Sequence, residues 1–212
     1  MIRRLFNRFL VKSILGLTAL TVLPAMAADE APDVFVTRLT TQALDAVKAD
    51  KAIQGGDISR TIALVDTMIM PHVNFQRMTA FSVGPAWRQA TPEQKKRLQD
   101  EFKTLLVRTY AGALAQVNDV SFSVKPMRYS PDDKEVIVRT LVKGRGDPIQ
   151  LDYRLEKTPG VGDGWKIYNL NVLGVWLADT YRSQFAQEIS TSGIDGLISV
   201  LAERNKANKK KV

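Results

Sequence analysis

The sequence holds one histidine, His72, and no cysteine in 212 residues, so the side chains that most often carry nucleophilic and metal chemistry are nearly absent. A thiolate nucleophile, a thiolate metal site and a disulfide framework are excluded together. A Ser-His-Asp hydrolase or a zinc centre would have to be built on His72 alone, which follows Pro71 with no second nitrogen or sulfur ligand to join it; a capping or surface role is expected instead. Neighbouring carboxylates occur at Asp29-Glu30 and Asp132-Asp133. An acid/base pair needs one carboxyl raised in pKa by a cleft, and both pairs lie among turn residues, where they read as solvated. Asp66 and Asp152 lie nearer to apolar segments, yet neither has an obvious partner. The run Gly160-Val161-Gly162-Asp163-Gly164 has the glycine density of a phosphate loop. A phosphate loop opens a helix, whereas the residues that follow alternate like a strand, so a hairpin turn is expected. Arg145-Gly146-Asp147 reads as turn chemistry in the same way. Lys206 and Lys209 to Lys211 have no aromatics among them, which argues against nucleic acid and leaves a solvated basic tail or a contact with anionic headgroups.

The elements that would position any such site begin after an N-terminal address. Arg3, Arg4, Arg8 and Lys12 precede every acidic residue and carry half of the net charge of +8. Residues 13–23 are apolar, Pro24 breaks them, and Ala25-Met26-Ala27 has the small-x-small pattern of a cleavage site. That stretch is too short for a spanning helix, which needs about 20 residues. Residues 1–27 are therefore expected to be a cleaved signal peptide, by the general secretory route ahead of the twin-arginine one. Residues 28–212 are expected to form a single exported domain with a short basic C-terminal tail. At 45% hydrophobic and 25% charged, the composition is that of an ordinary globular chain.

Helical spacing runs over residues 34–47 through Val36, Leu39, Ala43, Leu44 and Val47. Asp57 is placed to cap a second helix that ends at Pro71, and a short helix is expected from Asn74 to Val83. Thr91-Pro92-Glu93-Gln94 is a capping box with proline in the first turn. The helix it opens has Leu98, Phe102, Leu105, Leu106 and Tyr110 spread over roughly half its circumference, wider than one buried stripe requires. Segments 121–128, 134–143, 149–157 and 165–173 then alternate between short turns, and two helices fit 176–189 and 193–205. The expected fold is α+β: an antiparallel meander of about four strands, covered on one face by N- and C-terminal helices.

Several segments together resemble the MlaC family, also called the toluene-tolerance family, the periplasmic phospholipid-binding component of the Mla pathway. They are Val65-Asp66 with Met70-Pro71-His72-Val73-Asn74-Phe75; Gly84 and Trp87-Arg88-Gln89-Ala90-Thr91-Pro92-Glu93-Gln94; Asp152-Tyr153-Arg154-Leu155; Gly164-Trp165-Lys166-Ile167-Tyr168-Asn169-Leu170; Tyr181-Arg182-Ser183-Gln184-Phe185; and Gly193-Ile194-Asp195-Gly196-Leu197. Asn74 and Asn169 stand where the family often has aspartate, and Trp176 where it usually has serine.

The resemblance implies a periplasmic, non-enzymatic carrier without cofactor or metal. It would hold glycerophospholipid acyl chains in an apolar cavity between helices and sheet. Its implied partners are an outer-membrane lipoprotein–porin complex and an inner-membrane ABC transporter with an MCE-domain ring, touched transiently by a monomer that binds no nucleic acid. The implied role is the maintenance of outer-membrane lipid asymmetry. Candidate cavity residues are Phe102, Leu106, Tyr110, Val136, Val138, Leu151, Tyr153, Leu170, Val172 and Trp176. Without the resemblance, these positions are read as a closed core. A ligand-free periplasmic adaptor or chaperone, or a small isomerase-like enzyme in a similar cavity, are the other classes open to such a fold.

Overall fold

The structure, a computed structural model, describes residues 30–114, 120–144 and 147–209. The expected signal segment, Arg145-Gly146 and the end of the basic tail lie outside those residues.

Helix α1 (Pro32–Ala49) starts with proline in its first turn and turns Phe35, Val36 and Leu39 inward at helical spacing. Asp50 caps the short α2 (Lys51–Gln54), and Asp57 accepts the amide of Arg60 to cap α3 (Ile58–Leu64). A π turn over Val65–Ile69 and a 3-10 turn over Met70–His72 follow. The chain extends at Val73, where the amide of Asn74 donates to the Ile167 carbonyl (2.8 Å). Asn74 then caps α4 (Phe75–Val83) through the Arg77 amide. The Thr91–Gln94 box closes in both directions at the start of α5 (Pro92–Leu114). The last helix, α6 (Leu177–Lys209), is broken at Gly193, whose φ of 71° and ψ of −172° leave the helical region, as the two expected final helices required.

The sheet is an antiparallel meander in the order β1 (Ser121–Val124), β2 (Glu135–Lys143), β3 (Ile149–Lys157), β4 (Trp165–Val172), β5 (Val175–Trp176). The expected α+β meander is present, with a fifth short strand added. The Gly160–Gly164 run is the β3–β4 hairpin turn, closed by the Thr158 amide on the Gly164 carbonyl (2.7 Å).

Two apolar clusters hold the chain together. One is made of helices: Phe75 and Met78 of α4, Leu98, Phe102 and Leu105 of α5, and Phe185, Leu197, Ile198 and Leu201 of α6. The other packs α1 (Phe35, Val36, Leu39) on Val136, Val138, Tyr153, Leu155, Trp165 and Ile167 of the sheet. Val73 packs against both. The breadth of the α5 stripe follows from this arrangement, since α5 is packed by α3, α4 and α6 together.

Candidate functional site

The pairing register fixes which side chains share the sheet face under α1. Directly paired residues lie on one side, so Val136, Leu155 and Ile167 form one row, Val138, Tyr153 and Leu170 a second, and Thr140, Leu151 and Val172 a third. Val142 and Ile149 lie beyond them. Coverage falls off along this series. The first row is buried throughout, Leu170 in the second is half-buried, Leu151 and Val172 in the third are half-buried, and Ile149 is exposed. The face is thus a closed apolar layer at the Trp165 end and an open one at the Ile149 end.

Six of the candidate residues, Val136, Val138, Leu151, Tyr153, Leu170 and Val172, are brought together on this face. Phe102 and Leu106 are not; they belong to the helix cluster, where Phe102 is enclosed by Phe75, Tyr181 and Phe185 at ring distances of 5.7, 4.9 and 5.1 Å. Tyr110, one turn further along α5, is half-buried, and burial followed by the neighbouring Tyr181 raises its phenol above the ordinary value. Trp176 corrects the expectation outright. It pairs with Asn171, which pairs with Asp152, and therefore stands on the opposite side of the sheet from Tyr153. There the Arg154 guanidinium lies 4.0 Å over its ring. The reason is the hairpin: Val175 continues the inner row beside Val172, so its neighbour Trp176 must face out.

Sequence alternation also misses Trp165 and Ile167. Counted back from Leu170, they should face outward. A register shift opposite Arg154 and Leu155 leaves Tyr168 unpaired and turns both inward. Val36 and Leu39 were legible as part of a helix face, Phe35 was not, and none of the three was legible as the lid of the sheet.

The outer face is polar and almost fully partnered. Arg77 of α4 reaches Glu156 and Glu135 (both 2.5 Å) and lies 3.7 Å over the Tyr168 ring. Its hydrogen bond, with a second from the Tyr168 hydroxyl (2.7 Å), holds the Glu135 carboxyl below its ordinary value. Asn74 donates its amide to Glu156, and Asn169 donates to Asp179 (3.0 Å) while accepting the Ala178 amide (3.1 Å) at the head of α6. Aspartate could not donate in either place. Asp152 is buried and accepts from the Thr140 amide (3.2 Å) and Gln150 (2.5 Å); Asp66 pairs with Lys103 (2.7 Å) at the surface.

Helix α1 is tied to the sheet by two polar links besides its apolar face. Arg38 joins Glu30 (2.8 Å) to Asp163 of the β3–β4 turn (2.7 Å), and Asp163 also accepts from His72 Nδ1 (2.7 Å). The contact His72 makes is this hydrogen bond to the turn. Within the face, the Thr40 hydroxyl meets that of Tyr153 at 3.3 Å, and burial pushes the Tyr153 phenol up to about 12 against the opposing pull of that bond. A cleft of about 490 Å³ opens elsewhere, between the start of α4 and β4, lined by Val73, Asn74, Phe75, Gln76, Gln99, Glu156, Thr158, Val161 and Lys166. Its charged walls are unsuited to hydrocarbon, and the graded apolar face is the better site for an apolar ligand.

Comparison with known proteins places this geometry in context. The family model of the MlaC protein matches residues 37–203. The chain is 29% identical over 186 residues to the toluene tolerance protein ttg2D of Pseudomonas putida, covering 87% of this chain and 84% of that protein. It is 21% identical over 189 residues to the intermembrane phospholipid transport system binding protein MlaC of Haemophilus influenzae, covering 88% of each. Among solved structures it is similar to a phospholipid-binding protein from Ralstonia solanacearum in complex with a phospholipid. That match has a TM-score of 0.81 and 42% identity, and covers 85% of this chain and 99% of that one.

Proposed function

The chain belongs to the MlaC family, and from that premise we propose that it is a phospholipid carrier. It holds the acyl chains of a glycerophospholipid against the inner face of the sheet and leaves the headgroup at the open end. The observation that carries this reading is the gradient of that face, from the closed row at Val136 to the half-open row at Leu151 and Val172. The similarity to a protein solved with phospholipid supports it.

The physical requirement is severe. Each methylene exposed to water costs about 0.8 kcal/mol, so a lipid of roughly 30 methylenes forfeits about 24 kcal/mol outside a membrane. A carrier must hide nearly all of that surface and needs no acid, base or nucleophile to do so. In this reading residues 1–27 direct export, and the protein works in the periplasm as a monomer. It shuttles lipid between an outer-membrane lipoprotein–porin complex and an inner-membrane ABC transporter with an MCE-domain ring, and so keeps the outer membrane asymmetric. Among the described residues no helix is long and apolar enough to cross a membrane.

The test is the mass of the protein purified without detergent, measured native and denatured. A stoichiometric excess that organic extraction identifies as phospholipid is expected. A homogeneous ligand-free protein that also takes no phospholipid from any donor overturns the reading in favour of an adaptor or chaperone.

A further inference from the structure

Leu173 is unusual on two independent counts. It is the one non-glycine residue with positive φ (54°) among the described residues, and its side chain is 65% exposed. The β4–β5 connection is the dipeptide Leu173-Gly174, with φ of 54° and 86°, the geometry of a two-residue hairpin turn that ordinarily recruits asparagine, aspartate or glycine. A leucine there costs backbone energy and wets an isobutyl group, and neither cost returns anything to the fold. The turn is nonetheless held firmly: the Leu173 amide donates to the Gln150 carbonyl (3.0 Å), and the Gly174 amide to Asn171 Oδ1 (2.9 Å).

The surroundings say what such a knob could touch. Val175, 49% exposed, and Ile149, 40% exposed, flank it and lie on the inner-face side of the sheet. They continue the half-buried Leu151 and Val172, so aliphatic surface runs without a polar break from the open rows of the face to the tip. Lys143 is exposed at the same end of the sheet without an ion pair among the described residues, and Asp147 is the exposed acid on the neighbouring β2–β3 connection. Aliphatic side chains at a tip with the Lys143 ammonium behind them match the boundary between acyl chains and anionic headgroups.

We propose that the Leu173 tip, with Val175 and Ile149, is the element by which this protein touches and shallowly enters a phospholipid bilayer surface when lipid is exchanged. This deepens the carrier reading and rests on it. An acyl chain leaving the bilayer along this path passes from aliphatic surface to aliphatic surface, avoiding the water that makes its escape slow.

The test uses Leu173→Asn, which supplies the residue the turn prefers. The variant is expected to raise the unfolding temperature, and to slow uptake of a fluorescent phospholipid from vesicles of phosphatidylethanolamine and phosphatidylglycerol about tenfold, the order expected for losing one inserted leucine. Val175→Thr, which keeps the shape, is expected to slow uptake in the same direction, and serves if the first variant misfolds. A stabilised Leu173→Asn protein with unchanged uptake overturns the proposal. So does wild-type protein that carries phospholipid out of cells yet takes none from vesicles, an outcome that assigns the tip to a protein partner and leaves the carrier reading standing. Wild-type protein without phospholipid from either source overturns both.

Discussion

Tyr153 brings a hydroxyl into a row otherwise made of Val138 and Leu170, and spends it on Thr40 of the helix above. Its phenol, pushed by burial up to about 12, must ionise when the chain unfolds at an ordinary value near 10. A pKa raised in the fold contributes stability that is fully present below about pH 10 and is lost as pH rises through about 12. Tyr168, also raised to about 12 by burial and then by its bond to Glu135, adds to the same window. Alkaline unfolding should therefore coincide with a late rise in tyrosinate absorbance. Tyr153→Phe should flatten the stability loss between pH 10 and 12 while costing about 1 kcal/mol at neutral pH, the worth of one hydrogen bond. A stability–pH curve that Tyr153→Phe leaves unaltered above pH 10 would remove this account. The partnering of Asn74 and Asn169 belongs to the same scale: the two departures from the family's aspartates sit where an amide N–H, and no carboxylate, can satisfy Glu156 and Asp179.

Helix α6 shows how one residue sets the direction of an element. Gly193 at φ 71° turns the chain so that Leu197, Ile198 and Leu201 return to the helix cluster. An added Cβ meets nothing within 4 Å, so the cost of Gly193→Ala is backbone strain alone, about 1–3 kcal/mol. Gly196→Ala should cost more, because its Cβ would lie 2.2 Å from Ser192 Oγ and 2.3 Å from Ser192 Cβ. Denaturant unfolding checks both, and equal midpoints for Gly193→Ala and wild type would contradict the strain argument. Elements governed by local chemistry were legible in the sequence: the caps at Asp57 and Thr91, the start of α4 near Asn74 and the break at Gly193 each depend on a few adjacent residues. So was the inner face of β2 and β3, because alternation survives wherever pairing is regular. The bulge at Tyr168 was not, since it arises from pairing with a distant strand, and neither was β5, whose hairpin carries no turn residue at its first position. Leucine is no turn signal, so Leu173 hid the hairpin, and Trp176 is read from the sequence as the start of a helix and a cavity residue, where the structure has it in β5 facing outward.

At the scale of the molecule, the two clusters are unequal in what they ask of a motion. Opening the helix cluster would expose large side chains from α4, α5 and α6 at once. Lifting α1 exposes Phe35, Val36 and Leu39, about 5–9 kcal/mol at the usual worth of a buried large apolar side chain, together with the sheet side chains they cover, which entering acyl chains would cover again. Acyl chains taking their place against Val136, Val138 and Tyr153 would return far more than that. The motion that admits lipid is therefore expected to be movement of α1 and its Arg38–Asp163 link away from the sheet, with α4, α5 and α6 as the fixed frame. Hydrogen exchange should show amides of residues 35–47 opening well before those of 98–105 and 197–201. Because the chain has no cysteine of its own, Arg38→Cys with Asp163→Cys, joined by a short bis-maleimide, can test the consequence directly. The cross-linked protein should keep its unfolding temperature and lose lipid release. Release at the wild-type rate, or α1 amides as slow as those of α6, would place the opening elsewhere in the fold.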